Sequence, residues 1–312
     1  MPGSGTDVGR PAIERSRLAW PTALAGIFAF SFSAALFKLS GAPPAVGSTL
    51  RFAYAVPLLV VLAVRAGGLR RGPELAPALI AGVVVGVEVV VWNESTSRIG
   101  AGPSTVIVNT ASLWLMAIAA VVLRRRIPLR AVAGAVVVVL GLGLLRGAGS
   151  HGLDAIGVAL AVAAAAMYGA YILLFDAAVT RSANRVAPVL WATAAAVPAS
   201  LVFAIGLGES FSLTPGQHGW LLLLGIGVQA CGWLLVARTL EWFSAVAVSI
   251  LLLLQPLLAT VWGLAFLDEH LVAIQLLGVA VVLVGVAIAR PRAVREPAGA
   301  DVEAPGARRE VA

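Results

Sequence analysis

Ten long apolar runs fill this chain of 312 residues, and they limit its fold more than any single motif does. They span 18–38, 44–64, 75–96, 102–123, 129–146, 155–175, 187–207, 218–238, 244–267 and 273–290. At 1.5 Å of rise per residue, each is long enough as a helix to cross a hydrocarbon core of about 30 Å. The runs lack the period-two alternation of strands. In hydrocarbon no water satisfies a backbone amide, and a helix satisfies its own. The expected fold is therefore an all-α membrane protein with ten transmembrane helices, antiparallel to their neighbours because the connections are short. Composition agrees: 60% of the chain is hydrophobic and 12% charged, against roughly 45–50% and 25% for a soluble domain. That balance excludes a soluble globular enzyme.

The formal charge of +7 sits in short clusters between runs, not in a stripe or patch, so nucleic acid is not an expected partner. With the N-terminus inside, the inner segments hold Arg10, Arg15, Arg17, Arg65, Arg70, Arg71, Arg124, Arg125, Arg126, Arg130, Arg181, Arg185, Arg238, Arg290, Arg292 and Arg295. The outer connections hold only Lys38, Arg98 and Arg146. This asymmetry predicts that both termini are cytoplasmic. All the basic residues except Lys38 are Arg, and Ala, Gly and Val abound, a coding bias of high-GC bacteria. The expected location is a bacterial inner membrane. The first apolar run is longer than the 7–15 residues of a signal-peptide core, so it reads as a first membrane helix. Cys231 stands alone, which excludes an intramolecular disulfide, and reads as a small buried side chain.

The chain repeats itself. Residues 101–146 match 245–290 at an offset of 144: Leu113 falls on Leu257, Leu123 on Leu267, Gly134 on Gly278, Gly141 on Gly285 and Arg146 on Arg290. Earlier segments match at 141: Pro57 with Pro198, Gly86 with Gly227 and Trp92 with Trp233. Each half holds five helices, and an odd number inserts the second half upside down. The charges follow this inversion, since Arg124, Arg125 and Arg126 correspond to Asp268, Glu269 and His270. Two inverted five-helix repeats around a midplane site are a plan of secondary transporters. The expected organisation is a cytoplasmic N-terminal segment (1–17), a first repeat (18–147), a second repeat (148–290) and a disordered cytoplasmic tail (291–312).

Two stretches carry a family resemblance. They are "PSTVIVNTASLWLMAIAAVVLRRRIPLRAVAGAVVVVLGLGLLR" and "SAVAVSILLLLQPLLATVWGLAFLDEHLVAIQLLGVAVVLVGVAIAR". Each resembles the last two helices of a half in the EamA family of the drug/metabolite transporter superfamily. The second-half pattern of a Pro-containing helix, a following Glu and Gly-rich membrane sequence is met by Gln255-Pro256 and Glu269. The first half departs from it, with Ser112 in place of the Pro and Arg125 in place of the Glu. "TLRFAYAVPLL" resembles the family's second helix, with its embedded Arg at Arg51. The resemblance covers residues 18–290 and implies a ten-helix carrier. Amino acids and their analogues as substrates are what it implies most specifically.

Ionisable groups inside a bilayer cost about 2.5–3.5 kcal/mol each at a helix centre on insertion scales, so each needs a reason. Arg51 lies about two turns into the second helix. It is either a structural partner for a carboxylate or for helix-end carbonyls, or a planar fork for a substrate carboxylate. Glu94 lies at similar depth in the third helix and is a possible partner for it, unless it snorkels to the interface. Glu88 is near the centre of the third helix and shares a face with Trp92 and Ser95. It suits proton coupling or the binding of an ammonium; the alternative is a neutral, hydrogen-bonded acid with a packing role.

Asn93, Asn109, Gln229 and Gln255 recur around it, and Glu88 and Gln229 correspond at offset 141. Singly, such amides more often bond helix to helix. With Tyr168, Tyr171, Trp92, Trp191 and Trp233 they make a candidate lining for a cavity. The expected substrate-binding set is Arg51, Glu88, Trp92, Asn109, Tyr168, Gln229, Trp233 and Gln255, with Glu88 as the proton-coupling group. Trp20, Trp220 and Trp242 read as interfacial anchors. Pro57, Pro198 and Pro256 are expected to interrupt their helices. Gly134, Gly141, Gly143, Gly278 and Gly285 are expected at close helix approaches.

No phosphate-binding loop, Cys/His metal spacing or Gly-x-Ser-x-Gly motif occurs, so neither ATP drive, a cofactor, a metal nor hydrolase chemistry is expected. The expected partners are a small-molecule substrate and the lipid bilayer, with monomer and homodimer both open. The leading reading is a secondary active exporter of small metabolites or amphipathic drugs working by alternating access. The alternatives are an exchanger or uptake carrier for a phosphorylated or nucleotide-linked solute, which needs several cavity cations, and a membrane-embedded enzyme or lipid-handling protein. For the last, Asp268, Glu269 and His270 form the nearest cluster.

Overall fold

The computed structural model describes residues 12–67, 72–122, 129–146, 153–182, 186–235 and 254–289. Within them the regular elements are helical and no strand occurs. In chain order they are α1 (Ala12–Ser31), α2 (Ser33–Ser40), α3 (Pro44–Arg65), α4 (Leu75–Ile99), α5 (Ala101–Val108) and α6 (Ala111–Val122). There follow α7 (Leu129–Arg146), α8 (Ala155–Val179), α9 (Val186–Gly206), α10 (Pro215–Leu223), a π-helical continuation (Leu224–Gly232), α11 (Leu254–Phe266) and α12 (Ala273–Ala289). The loop of Arg124, Arg125 and Arg126, the first part of the ninth run with Trp242, and the C-terminal tail lie outside the described residues, as do residues 1–11.

Each apolar run is represented by helix. Seven spans are long and apolar enough to cross a membrane: Trp20–Ser40, Pro44–Arg65, Leu75–Ile99, Ala101–Ile118, Ala155–Val179, Val186–Gly206 and Pro215–Leu235. Leu129–Leu144, Leu254–Phe266 and Ala273–Ala289 are shorter apolar helices. The surface reverses the soluble pattern. Val121, Leu129, Val139, Val202 and Ile205 are all largely exposed, as expected where lipid rather than water is the solvent. The chain is a multi-pass membrane protein.

Local sequence explains several helix starts. Thr214 and Gln217 form a capping box before α10, with Pro215 at its first position. Asp154 accepts from the Ile156 and Gly157 amides and caps α8. The α3 cap comes from far away: Glu209 accepts from the amides of Ala45 at 2.9 Å and Val46 at 2.8 Å. The sequence reading had no local signal for it.

Small residues set the close packing. α7 and α12, which correspond under the 144 offset, lie against each other. A Cβ on Gly134 would stand 2.5 Å from the Gly285 carbonyl, and one on Gly285 would stand 2.8 Å from the Val138 amide. Gly141 faces the Gly278 carbonyl across the same seam. Gly143, expected there too, has open space beside it. Cys231, expected buried, is exposed on the π-helical segment. The prolines also behave differently from expectation. Pro57 and Pro198 stand inside unbroken helices, whereas the breaks fall at Phe32 and at Asn109–Thr110. Finally, α1 extends ahead of the apolar run, as far back as Ala12 among the described residues.

Candidate functional site

Three departures from regular α-helix converge on one place. At Phe32 the first span breaks, and Ser33 opens α2. At Asn109–Thr110 the fourth span breaks; the Asn109 amide side chain bonds back to the Thr105 carbonyl at 2.8 Å, and the Thr110 amide reaches Ile107 in a tighter turn. The span Pro215–Leu235 widens into a π-helix that carries Gln229. Such irregular backbone is tolerated in a membrane where it lines a cavity, and π-segments favour functional sites.

Ser33, Asn109 and Gln229 all line an internal cavity of about 50 Å³. The other walls are Phe30, Arg51, Val85, Glu88, Val89, Trp92, Thr105, Val108, Tyr168, Trp233 and Gln255. The structure thus brings together all eight residues named from sequence, drawn from both halves of the chain. Glu88 and Gln229, equivalent in the repeat, share this lining. A water needs roughly 10–15 Å³ of such space, so the cavity has room for a few waters and not for a drug-sized molecule, which needs about 300–1,000 Å³.

Arg51 is buried, yet it is held only by neutral groups. Its Nε donates to Gln229 Oε1 at 3.1 Å and its Nη1 to Ser33 Oγ at 3.0 Å. Gln229 in turn donates to Thr193 Oγ1 at 3.3 Å. The π-segment presses against this point, since a Cβ on Gly225 would stand 2.7 Å from the Arg51 carbonyl. Glu88 is buried beside the same cavity and within electrostatic range of Arg51. Among the described residues it has neither an ion pair nor a hydrogen bond. The Trp92 Nε1 and Thr105 Oγ1 atoms are buried on the same walls without a partner. An unpartnered buried polar group costs about 1–3 kcal/mol; the others among the described residues, Asn93 Oδ1, Ser112 Oγ and Trp191 Nε1, lie away from this lining.

The possible Arg51–Glu94 pair does not form. Glu94 accepts from Arg98 Nε at 2.6 Å, one helical turn onward and partly exposed, which is the snorkelling alternative. Three other candidates stand away from the lining. Asn93 donates to Ser48 Oγ, Tyr171 packs among Phe52, Val85 and Ala196, and Trp191 is buried with its Nε1 unpartnered. Phe30, Trp233, Tyr171 and Phe175 stack or meet edge-on behind the cavity. Sequence reasoning missed Phe30, Ser33, Val85, Val89, Thr105 and Val108. Ser33, polar amid an apolar run, and Thr105, one turn before Asn109, carried a usable signal.

At the end of the bundle bearing the α2–α3, α4–α5 and α11–α12 connections, Glu269 is fully engaged. It accepts from Lys38 Nζ at 2.7 Å and from the amides of Ala101 at 2.7 Å and Gly102 at 3.4 Å. Of the Asp268-Glu269-His270 cluster, Glu269 therefore supplies a tether between helices, and Asp268 and His270 are exposed.

A small cavity of mixed polar and apolar lining, walled by both halves of a helical membrane protein, is an arrangement that carriers use. Two stretches, residues 18–147 and 155–290, match the EamA-like transporter family. The chain is a member of that family and hence of the drug/metabolite transporter superfamily. A crystal structure whose description states no function aligns with 88% of this chain and 96% of its own, at a TM-score of 0.60 and 17% identity. At that identity the likeness concerns the fold alone. No curated protein sequence matches the chain.

Proposed function

We propose that this transporter is a secondary active exporter of small metabolites, with amino acids or their analogues as the first class, working by alternating access. It resides in the bacterial inner membrane with both termini cytoplasmic, and the three shorter helices complete ten spans. The observation that carries this reading is the pair of opposite, unjoined charges, Arg51 and Glu88, on one buried cavity. Two charges kept apart in a low-dielectric site favour a ligand with both signs: a carboxylate on the Arg51 fork and an ammonium at Glu88. Trp92 Nε1 and Thr105 Oγ1 add a donor and a hydroxyl, and Tyr168, Trp233 and Phe30 face the apolar part. Asn109 and Gln255 complete the polar wall.

Glu88 also serves as the coupling group. A proton and a substrate ammonium exclude each other from one carboxylate, which is the logic of an antiporter. A larger amphipathic drug requires the cavity to expand. The phosphorylated-solute reading is weaker, because Arg51 is the sole cation in the lining among the described residues.

The test is flux in proteoliposomes without ATP. Imposed proton gradients should drive uptake of a labelled amino acid, and Glu88→Gln should abolish gradient-driven flux while substrate exchange persists at reduced rate. Wild-type flux and pH dependence in Glu88→Gln would remove Glu88 from the mechanism. No flux of any zwitterion would remove the substrate class.

A further inference from the structure

We infer that Glu269, Lys38 and the N-terminus of α5 form a latch that closes one end of the transport path, with Leu267 as the plug it holds over the cavity. This rests on the reading of the chain as an alternating-access carrier. Glu269 joins three elements from both halves. Lys38 closes α2, Ala101 and Gly102 open α5, and Glu269 follows α11. The carboxylate is nine-tenths buried and takes one ammonium and two helix-terminal amides. A carboxylate at a helix N-terminus gains from both the free amides and the dipole.

The neighbourhood is built around that carboxylate. Gly100 and Gly263 leave room for it; a Cβ on Gly100 would stand 2.8 Å from Oε2. Asp268, just before it, has φ of 49°, the one positive value at a non-glycine residue among the described residues. Such a conformation disfavours L side chains and is held here by the Glu269 amide bonding to the Gly263 carbonyl at 3.1 Å.

Leu267, two residues earlier, packs against the core cluster of Ala34, Trp92, Ala101, Val108 and Ala164. Trp92 and Val108 of that cluster are cavity walls. Thus one short segment reaches the cluster that backs the cavity with Leu267 and the bundle end with Glu269. On α2 the latch residue is five positions from Ser33, and on α5 Gly102 is three positions from Thr105, so latch and cavity are neighbours on both elements. Releasing Glu269 lets Leu267 withdraw and opens the cavity at this end.

The repeat sharpens the point. Glu269 corresponds to Arg125 in the first half. Arg125 lies outside the described residues; as a cation it cannot accept from helix-terminal amides, so the repeat-equivalent position does not supply this contact.

The test uses thiol labelling in nanodiscs, where both faces are open to reagent and no substrate or gradient is present. Its outcome is thereby independent of orientation and of the transported solute. In a Cys231→Ala background, Ser104→Cys places a thiol between latch and cavity; Ser104 is fully buried and bonds Thr96. Lys38→Met removes the ion pair and keeps the α5 cap. Glu269→Gln removes the charge. Labelling should rise severalfold in Lys38→Met, and about tenfold or more in Glu269→Gln, as expected when a closed–open equilibrium loses a charge-assisted contact. Leu267→Ala should also raise it. Parental labelling rates in folded, monodisperse Lys38→Met and Glu269→Gln would overturn the latch and leave Glu269 as a fixed cap. If Glu269→Gln fails to fold, Lys38→Met decides alone.

Discussion

The cavity and the bundle end beside it treat polar groups in opposite ways. At the bundle end, four carboxylates are fully engaged. Glu269 has three partners, Glu209 has two helix-terminal amides, Asp154 has two amides and Arg98, and Glu94 has Arg98. In the cavity, Trp92 Nε1 and Thr105 Oγ1 have no partner, and among the described residues Glu88 has no hydrogen bond or ion pair and Arg51 only neutral hydrogen-bond partners. The costs run the other way: an unpaired charge is dearer in the interior than near water. A chain that leaves the expensive groups unpaired and satisfies the cheaper ones is not minimising its folding energy. The unpaired groups are explained if a ligand completes them during part of the cycle.

The largest expected effect comes from Arg51. Arg51→Met removes the one cation of the lining among the described residues, so transport should fall by about tenfold to a hundredfold, the range expected when a charge-assisted contact is lost. Its release of Gln229 and Ser33 leaves both able to bond each other or cavity water, so the protein should still fold. Flux in proteoliposomes at matched reconstitution checks this. Undiminished flux would mean that Arg51 only joins helices, and the contrast between cavity and bundle end would lose its functional meaning.

A smaller effect of the opposite kind is expected at Glu209. Glu209→Ala frees the amides of Ala45 and Val46 at the start of α3. Loss of a helix cap costs about 0.5–2 kcal/mol. The variant should unfold at lower temperature in detergent, while transport per folded molecule stays at the wild-type level. A variant that keeps its thermal stability but loses transport would break the comparison, because a bundle-end carboxylate would then be acting like a cavity one.

How much of this was legible in sequence follows from the same contrast. Burial cost makes a midspan ionisable or amide residue conspicuous in an apolar run, so Arg51, Glu88, Asn109, Gln229 and Gln255 announced themselves. The repeat offset then paired Glu88 with Gln229. The breaks at Phe32 and Asn109 were hidden, because neither proline nor glycine, the usual breakers, stands at them. The π-segment does carry Gly225, Gly227 and Gly232, but its widening coincides with a tertiary contact, where Gly225 meets the Arg51 backbone. The caps supplied by Glu209 and Glu269 were hidden for another reason: each joins residues more than 160 positions apart, and no local pattern marks such a bond. Glu94 illustrates the reverse error. Depth along a helix suggested Arg51, but a turn-spaced Arg98 was nearer.

The finest test sits on Thr105. Its Oγ1 is buried without a partner on the cavity wall, and Val has nearly the same shape and the same branched Cβ. In an ordinary core Thr→Val is destabilising when it deletes a satisfied hydroxyl bond. Here there is no bond to delete, so Thr105→Val should leave stability unchanged or raise it by up to about 1 kcal/mol, since the desolvation cost of the hydroxyl disappears. If that hydroxyl meets substrate, KM should rise by about three- to tenfold, corresponding to one neutral hydrogen bond. Gained stability with a raised KM is the signature of a group kept for a ligand at the expense of the fold. Lost stability with an unchanged KM would show that Thr105 has a structural partner in some other state of the cycle, and would make this wall of the cavity part of the scaffold.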